Sequence, residues 1–154
     1  MPTSPIDLPA PRPIIDSATL FGRCLACVRR DLGLTQEEFA ASIGLTRPGL
    51  ARIEGGRATP SYYVLMRMGQ RIRPRRGADA ASIITLVYLS ATAFRRRGVR
   101  VVNRPRAPGD AILSIAQIDR VIGAVYDAEF GAIRDRPITD AFPDGDAVEG
   151  GAET

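Results

Sequence analysis

The chain has 154 residues, with 45% hydrophobic and 25% charged residues and a formal net charge of +4. It holds no His, Lys or Trp, so all 21 basic residues are Arg. Without His no Ser-His-Asp triad, Cys-His pair or His-ligated metal can be built. Without Lys there is no Walker-type phosphate loop, Schiff base or Ser-Lys dyad. The composition therefore points away from an enzyme and implies no cofactor, no metal and no catalytic residue. No apolar run approaches the roughly 18 residues of a membrane span, so no membrane partner is expected.

The first 16 residues hold five prolines, a density that forbids helix and favours an extended arm. Residues 1–16 are accordingly expected to be a disordered, Pro-rich segment. Phe21, Leu25, Val28 and Leu32 then mark one stripe of a helix from about Ala18 to Asp31, which Gly33 ends. Thr35-Gln36-Glu37-Glu38 reads as a capping box, with Leu34 and Phe39 as its hydrophobic staple. Gly44 suits the left-handed position that closes this second helix. Thr46 caps a third helix, Leu45 and Leu50 repeat the staple, and Pro48 sits in the first turn, where a missing N–H costs little. Gly55-Gly56 stops the third helix after Glu54. Thr59-Pro60 is expected to open a fourth, with Tyr62, Leu65, Met68 and Ile72 inward.

A basic linker follows, with Arg73, Arg75, Arg76 and Gly77. Length and Ala content favour a helix over Ala80–Phe94. Gly98–Val102 reads as one short strand. Asp110–Phe130 reads as a helix with Ile112, Ile115, Ile118, Val121, Ile122, Val125 and Tyr126 on a broad apolar face. Residues 135–154 carry six acids against one arginine and are expected to be a disordered acidic tail. Basic charge concentrates in residues 1–76, with 12 arginines against 6 acids.

Two capped helices around a tight Gly44-Leu45 turn form a helix-turn-helix. The stretch from Ala18 to Ile72, with LTQEEFA, IGLTRPGLARIEGG and a Thr-Pro helix start in register, resembles the lambda-repressor-like (Cro/cI, XRE) DNA-binding domain. The resemblance covers about a third of the chain. It implies an all-α helix-turn-helix domain over residues 17–76; the apolar surplus after Ala80 marks residues 77–134, with the one short strand, as a helical dimerisation region.

In this geometry the N-terminal part of the second motif helix enters the major groove. The resemblance places Arg47, Pro48 and Arg52 at base-reading positions. Arginine can pair bidentately with guanine O6 and N7, whereas Pro48 can only pack against a thymine methyl. Gln36, Thr46 and Arg57 are the expected phosphate contacts, Gln36 because the family anchors the DNA backbone through this residue. Arg29 and Glu54 match positions that form a partly buried structural ion pair. Arg95, Arg96, Arg97, Arg100, Arg104 and Arg106 form a second basic run, suited either to flanking phosphates or to a solvated helix end. Cys24-x-x-Cys27 lacks any partner for a zinc tetrad and reads as two small helix residues beside the core.

The expected function is a cytoplasmic, nucleoid-associated, sequence-specific transcription regulator. It is expected to bind double-stranded DNA as a homodimer on a palindromic operator and to repress by occlusion. Absence of lysine excludes the Ser-Lys self-cleavage of some phage repressors. Two alternatives stand beside this reading. One is an antitoxin-type module that neutralises a toxin-like protein through its C-terminal half and autoregulates its operon. The other is an activator that touches RNA polymerase.

Overall fold

The computed structural model describes residues 13–76, 80–104 and 107–134. Six helices and three short strands follow in the order β1 (Pro13–Asp16), α1 (Ser17–Asp31), α2 (Gln36–Ser42), α3 (Arg47–Glu54), α4 (Tyr62–Arg76), α5 (Ala80–Arg96), β2 (Arg100–Val102), β3 (Ala111–Ile112) and α6 (Ile115–Arg134). The tail over residues 135–154 and the first 12 residues of the expected arm lie outside the described residues.

The chain is mostly helical, as expected, but it carries three short strands in place of one. Residues 13–16, expected to belong to the extended arm, form the middle strand of a three-stranded parallel sheet ordered β2-β1-β3. Ile14 pairs with Arg100 on one side and with Ile112 on the other. Pro13 is tolerated because it is the first residue of the strand. Ile14 and Ile15 are 3% and 2% exposed, as a strand flanked on both edges requires. Asp16 ends the strand and caps α1, accepting from the Thr19 N–H at 2.7 Å.

Helix starts follow side-chain caps more closely than apolar stripes. Ser61 Oγ accepts from the Val64 N–H at 3.2 Å, so α4 opens at Tyr62 and not at Thr59-Pro60. Tyr62 then points outward, 78% exposed, against the expectation that it faces inward. Arg73, Arg75 and Arg76, expected in a linker, lie in α4. At α6 the sequence Ser114-Ile115-Ala116-Gln117 is a capping box. Ser114 Oγ accepts from the Gln117 N–H at 3.1 Å, and Gln117 Oε1 accepts from the Ser114 N–H at 2.9 Å. Ala111 and Ile112, expected inside this helix, are therefore released to form β3, and Ile112 and Ile115 lie on the surface.

The buried cluster runs through the whole described chain. Leu20 and Leu25 of α1, Phe39 of α2, Leu50 of α3 and Met68 of α4 join Ile83, Leu86 and Phe94 of α5 and Ile118 and Ile122 of α6. Buried aliphatic and aromatic side chains each contribute about 1.5–3 kcal/mol relative to exposure. One contact in this core depends on a missing side chain. A Cβ on Gly22 would collide with the Ile53 carbonyl oxygen, so this glycine lets α1 lie directly on α3.

Candidate nucleic-acid interface

The two helices α2 and α3 are defined by local chemistry. Thr35 Oγ1 accepts from the Glu38 N–H at 3.1 Å, and the Glu38 carboxylate accepts from the Thr35 N–H at 2.9 Å. That backbone donor holds the Glu38 carboxyl below the usual carboxylate range. Gly44 takes φ +77°, a backbone state that a side chain would strain, and the Leu45 N–H returns to the Ala40 carbonyl at 2.9 Å. Thr46 Oγ1 then accepts from the Gly49 N–H at 3.1 Å and starts α3.

Helix α3 buries Leu50, Ile53 and Glu54 and leaves Arg47, Pro48 and Arg52 exposed. Thr46 and Arg57 are also exposed, at the two ends of the helix. The Arg57 N–H bonds the Arg52 carbonyl at 2.8 Å, which fixes the start of the outgoing loop against the helix end. The arginines of α3 thus lie on its solvent-exposed face, carried by a helix fixed at both termini.

Behind that face is a polar cluster centred on Glu54, which is 2% exposed. Arg29 reaches both Glu54 oxygens, Nε to Oε2 at 2.7 Å and Nη2 to Oε1 at 3.1 Å. Its Nη1 donates to the Leu34 carbonyl at 2.7 Å. Gln36 Nε2 donates to Glu54 Oε1 at 2.9 Å. A buried carboxylate is tolerable only with such charge-assisted partners. Gln36, read from sequence as a phosphate contact alone, here spends one amide hydrogen on this cluster.

Sequence reasoning missed the link from this cluster to the C-terminal region. Arg23 of α1 meets Asp119 of α6 through two hydrogen bonds of 2.8 Å. Its Nη1 also donates to the Glu54 carbonyl at 3.3 Å. The shared hydrogen bonds hold the Arg23 guanidinium pKa above its ordinary value. Tyr126 donates to Asp31 Oδ2 at 2.7 Å, a second tie between α6 and α1. Sequence separation hid both, since 96 and 95 positions divide the partners.

The second basic run is dispersed. Arg95, Arg96, Arg97, Arg100 and Arg104 are exposed, and Arg106 lies outside the described residues. Arg104 forms a forked pair with Asp110 at 2.9 and 3.1 Å. The loop after β2 approaches α1 through a 2.5 Å hydrogen bond from Ser17 Oγ to Asn103 Oδ1. A cleft of about 710 Å³ there is lined by both Arg57 and Arg104.

Burial pushes the Cys24 thiol up to about 12 and the Cys27 thiol up to about 11. Among the described residues no group of three or more His, Cys, Asp or Glu could hold a metal ion. Among them, too, no helix is long and apolar enough to cross a membrane.

Comparison with known proteins places this geometry. Residues 20–73 match the helix-turn-helix domain family, a span that contains α2, the turn and α3. Over 44 residues, 29% of this chain and 64% of the relative, the sequence is 41% identical to an uncharacterized HTH-type transcriptional regulator of Methanothermobacter thermautotrophicus. Over 58 residues, 38% of this chain and 75% of the relative, it is 36% identical to an uncharacterized HTH-type transcriptional regulator of Sinorhizobium fredii. The first of these matches thus spans just under two thirds of the relative's length. No solved structure matches the chain at a significant level. With the capped helices, the Gly44 turn and these matches, the chain belongs to the helix-turn-helix family.

Proposed function

We propose that the chain is a sequence-specific, double-stranded-DNA-binding transcription regulator of the lambda-repressor-like (Cro/cI, XRE) class, acting as a dimeric repressor on a palindromic operator. The observation that carries this reading is the exposure of Arg47 and Arg52 on α3, a helix anchored in the core through Leu50, Ile53 and Glu54. Arg47, at the first position of α3, reads a guanine in the major groove, and Arg52 reads a second base. Pro48 packs on a thymine methyl. Thr46 and Arg57 hold the phosphates at either end of α3, and Gln36 adds a phosphate contact with its remaining amide hydrogen. Phosphate contacts set register, while the arginines on base edges set sequence.

Dimerisation falls to the C-terminal helices. On α5, Ile84 and Tyr88 are 55% and 68% exposed and one helical turn apart, a face that a second copy can cover. Repression then follows from occlusion of the promoter, in the cytoplasm and on the nucleoid.

Genome-wide mapping of binding sites with motif recovery tests the proposal. The expected result is a two-fold symmetric motif with half-sites about one helical turn, roughly 10 base pairs, apart. An asymmetric single site overturns the dimer. Absence of any enriched motif overturns the regulator reading.

A further inference from the structure

Helix α6 does more than complete the core. Between β1, the end of α5 and the first turns of α6 lies a cleft of about 570 Å³. That volume falls within the range typical of small-molecule sites, roughly 300–1,000 Å³. Its lining is mainly apolar, with Phe94, Val99, Leu113 and Val121. Two arginines, Arg97 and Arg120, line the same cleft. Arg97 spends one guanidinium nitrogen on the Ala93 carbonyl at 3.0 Å. Among the described residues neither arginine pairs with a carboxylate, in contrast to Arg23, Arg29 and Arg104.

Apolar walls with unneutralised guanidinium groups select one ligand chemistry. A carboxylate matches the donor fork of arginine in a planar, bidentate geometry. An apolar body fills the space between α5 and α6. We propose that this cleft binds a small organic acid with an apolar body, and that its occupancy is transmitted to α3 through Asp119 and Arg23.

The transmission is geometric. Asp119 lies next to Arg120 on α6, between residues that line the cleft. Its carboxylate holds Arg23, and Arg23 donates to the carbonyl of Glu54, the last residue of α3. A ligand that shifts the first turns of α6 moves a group bonded to the end of α3. The effect on DNA affinity is then reciprocal, because each ligand must alter the other's binding by the same factor. The coupling rests on the DNA-binding reading above, whereas the binding of the acid does not.

The test uses the full chain, octanoate as the acid, and octanol as its uncharged counterpart in isothermal titration. Saturable one-to-one binding of octanoate is expected, at least tenfold tighter than octanol. The Arg97→Gln/Arg120→Gln variant, checked for an unchanged melting temperature, should lose at least tenfold. No saturable binding, equal binding of octanol, or wild-type affinity in the variant overturns the site. A benzophenone at position 124, on the cleft lining, provides a second readout. Crosslinking to residues 1–12 or to a second copy, unaffected by octanoate, assigns the cleft to those occupants and overturns the proposal.

Coupling is read separately, on the strongest DNA site recovered by mapping. Octanoate should change affinity for that site at least fivefold, within the usual range of allosteric coupling. Asp119→Asn should keep octanoate binding and lose the effect on DNA. Octanoate that binds without changing DNA affinity overturns the transmission alone. A chain that binds octanoate and no DNA leaves the cleft standing and refutes the regulator reading.

Discussion

Arg29 and Glu54 are joined by two hydrogen bonds, 2.7 and 3.1 Å long, that cross from the end of α1 to the end of α3. Both residues are buried, at 8% and 2% exposure. Removing one partner of a buried pair leaves the other charge uncompensated, at a cost of about 3–5 kcal/mol. Arg29→Ala should therefore lower stability by about 3 kcal/mol in urea unfolding. Arg47→Ala, on the exposed face of α3, should stay within about 0.5 kcal/mol of wild type. Equal stabilities for the two variants would show that the Arg29 pair does not brace α1 against α3.

Arg47 and Gln36 should divide the work of DNA binding differently. Loss of a bidentate base contact costs about 1–3 kcal/mol and relaxes preference at one position. Arg47→Ala should flatten one symmetric pair of positions in the recovered motif. Gln36→Ala should weaken binding to all sequences alike and leave the motif unchanged. It should also lower stability by about 1 kcal/mol, because Gln36 donates to Glu54. If Arg47→Ala leaves the motif intact and reduces the salt slope by about one unit, Arg47 holds a phosphate instead.

Asp110 provides a pH marker for the loop between β2 and β3. Hydrogen bonds from Arg104, and then from the Ala107 N–H, lower its carboxyl from 3.8 to about 2. A depressed carboxylate stabilises the fold above its unfolded pKa. That contribution should fade as pH falls from 3.8 through about 2. Carboxyl-carbon NMR should place the Asp110 midpoint near the lower end, and Arg104→Gln should move it upward. A midpoint at the ordinary value in both proteins would show the fork is absent in solution.

The two thiols should be inert while the chain is folded. Burial holds Cys24 and Cys27 at about 12 and about 11, so the thiolate is scarce at neutral pH. Reaction with a disulfide reagent at pH 8 should be slow in the native protein and release two equivalents on denaturation. Rapid native labelling of both would contradict their burial.

The helix-turn-helix was legible in sequence because its determinants are local. Thr35 and Glu38 cap each other three residues apart, Thr46 caps Gly49, and Gly44 needs only its own φ. The pairing of Arg29 with Glu54 came through the family resemblance, not through spacing. The parallel sheet was not legible, since β1 has four residues and β3 two, and their partners are far along the chain. The start of α6 was misplaced because Ile112 and Ile115 extend its apolar face, whereas the Ser114–Gln117 capping box sets the boundary. Arg23 and Asp119 were each ordinary charged residues until the fold brought them together.

The central position of β1 has a consequence for synthesis. This strand leaves the ribosome before either of its partners, Arg100–Val102 and Ala111–Ile112. Closing such long loops is entropically costly, and non-local parallel pairing forms slowly. The capped helices can form as they emerge, while Ile14 and Ile15 wait without neighbours on either edge. The sheet can close only after Ile112 has been made, so α1 gains its full anchorage late.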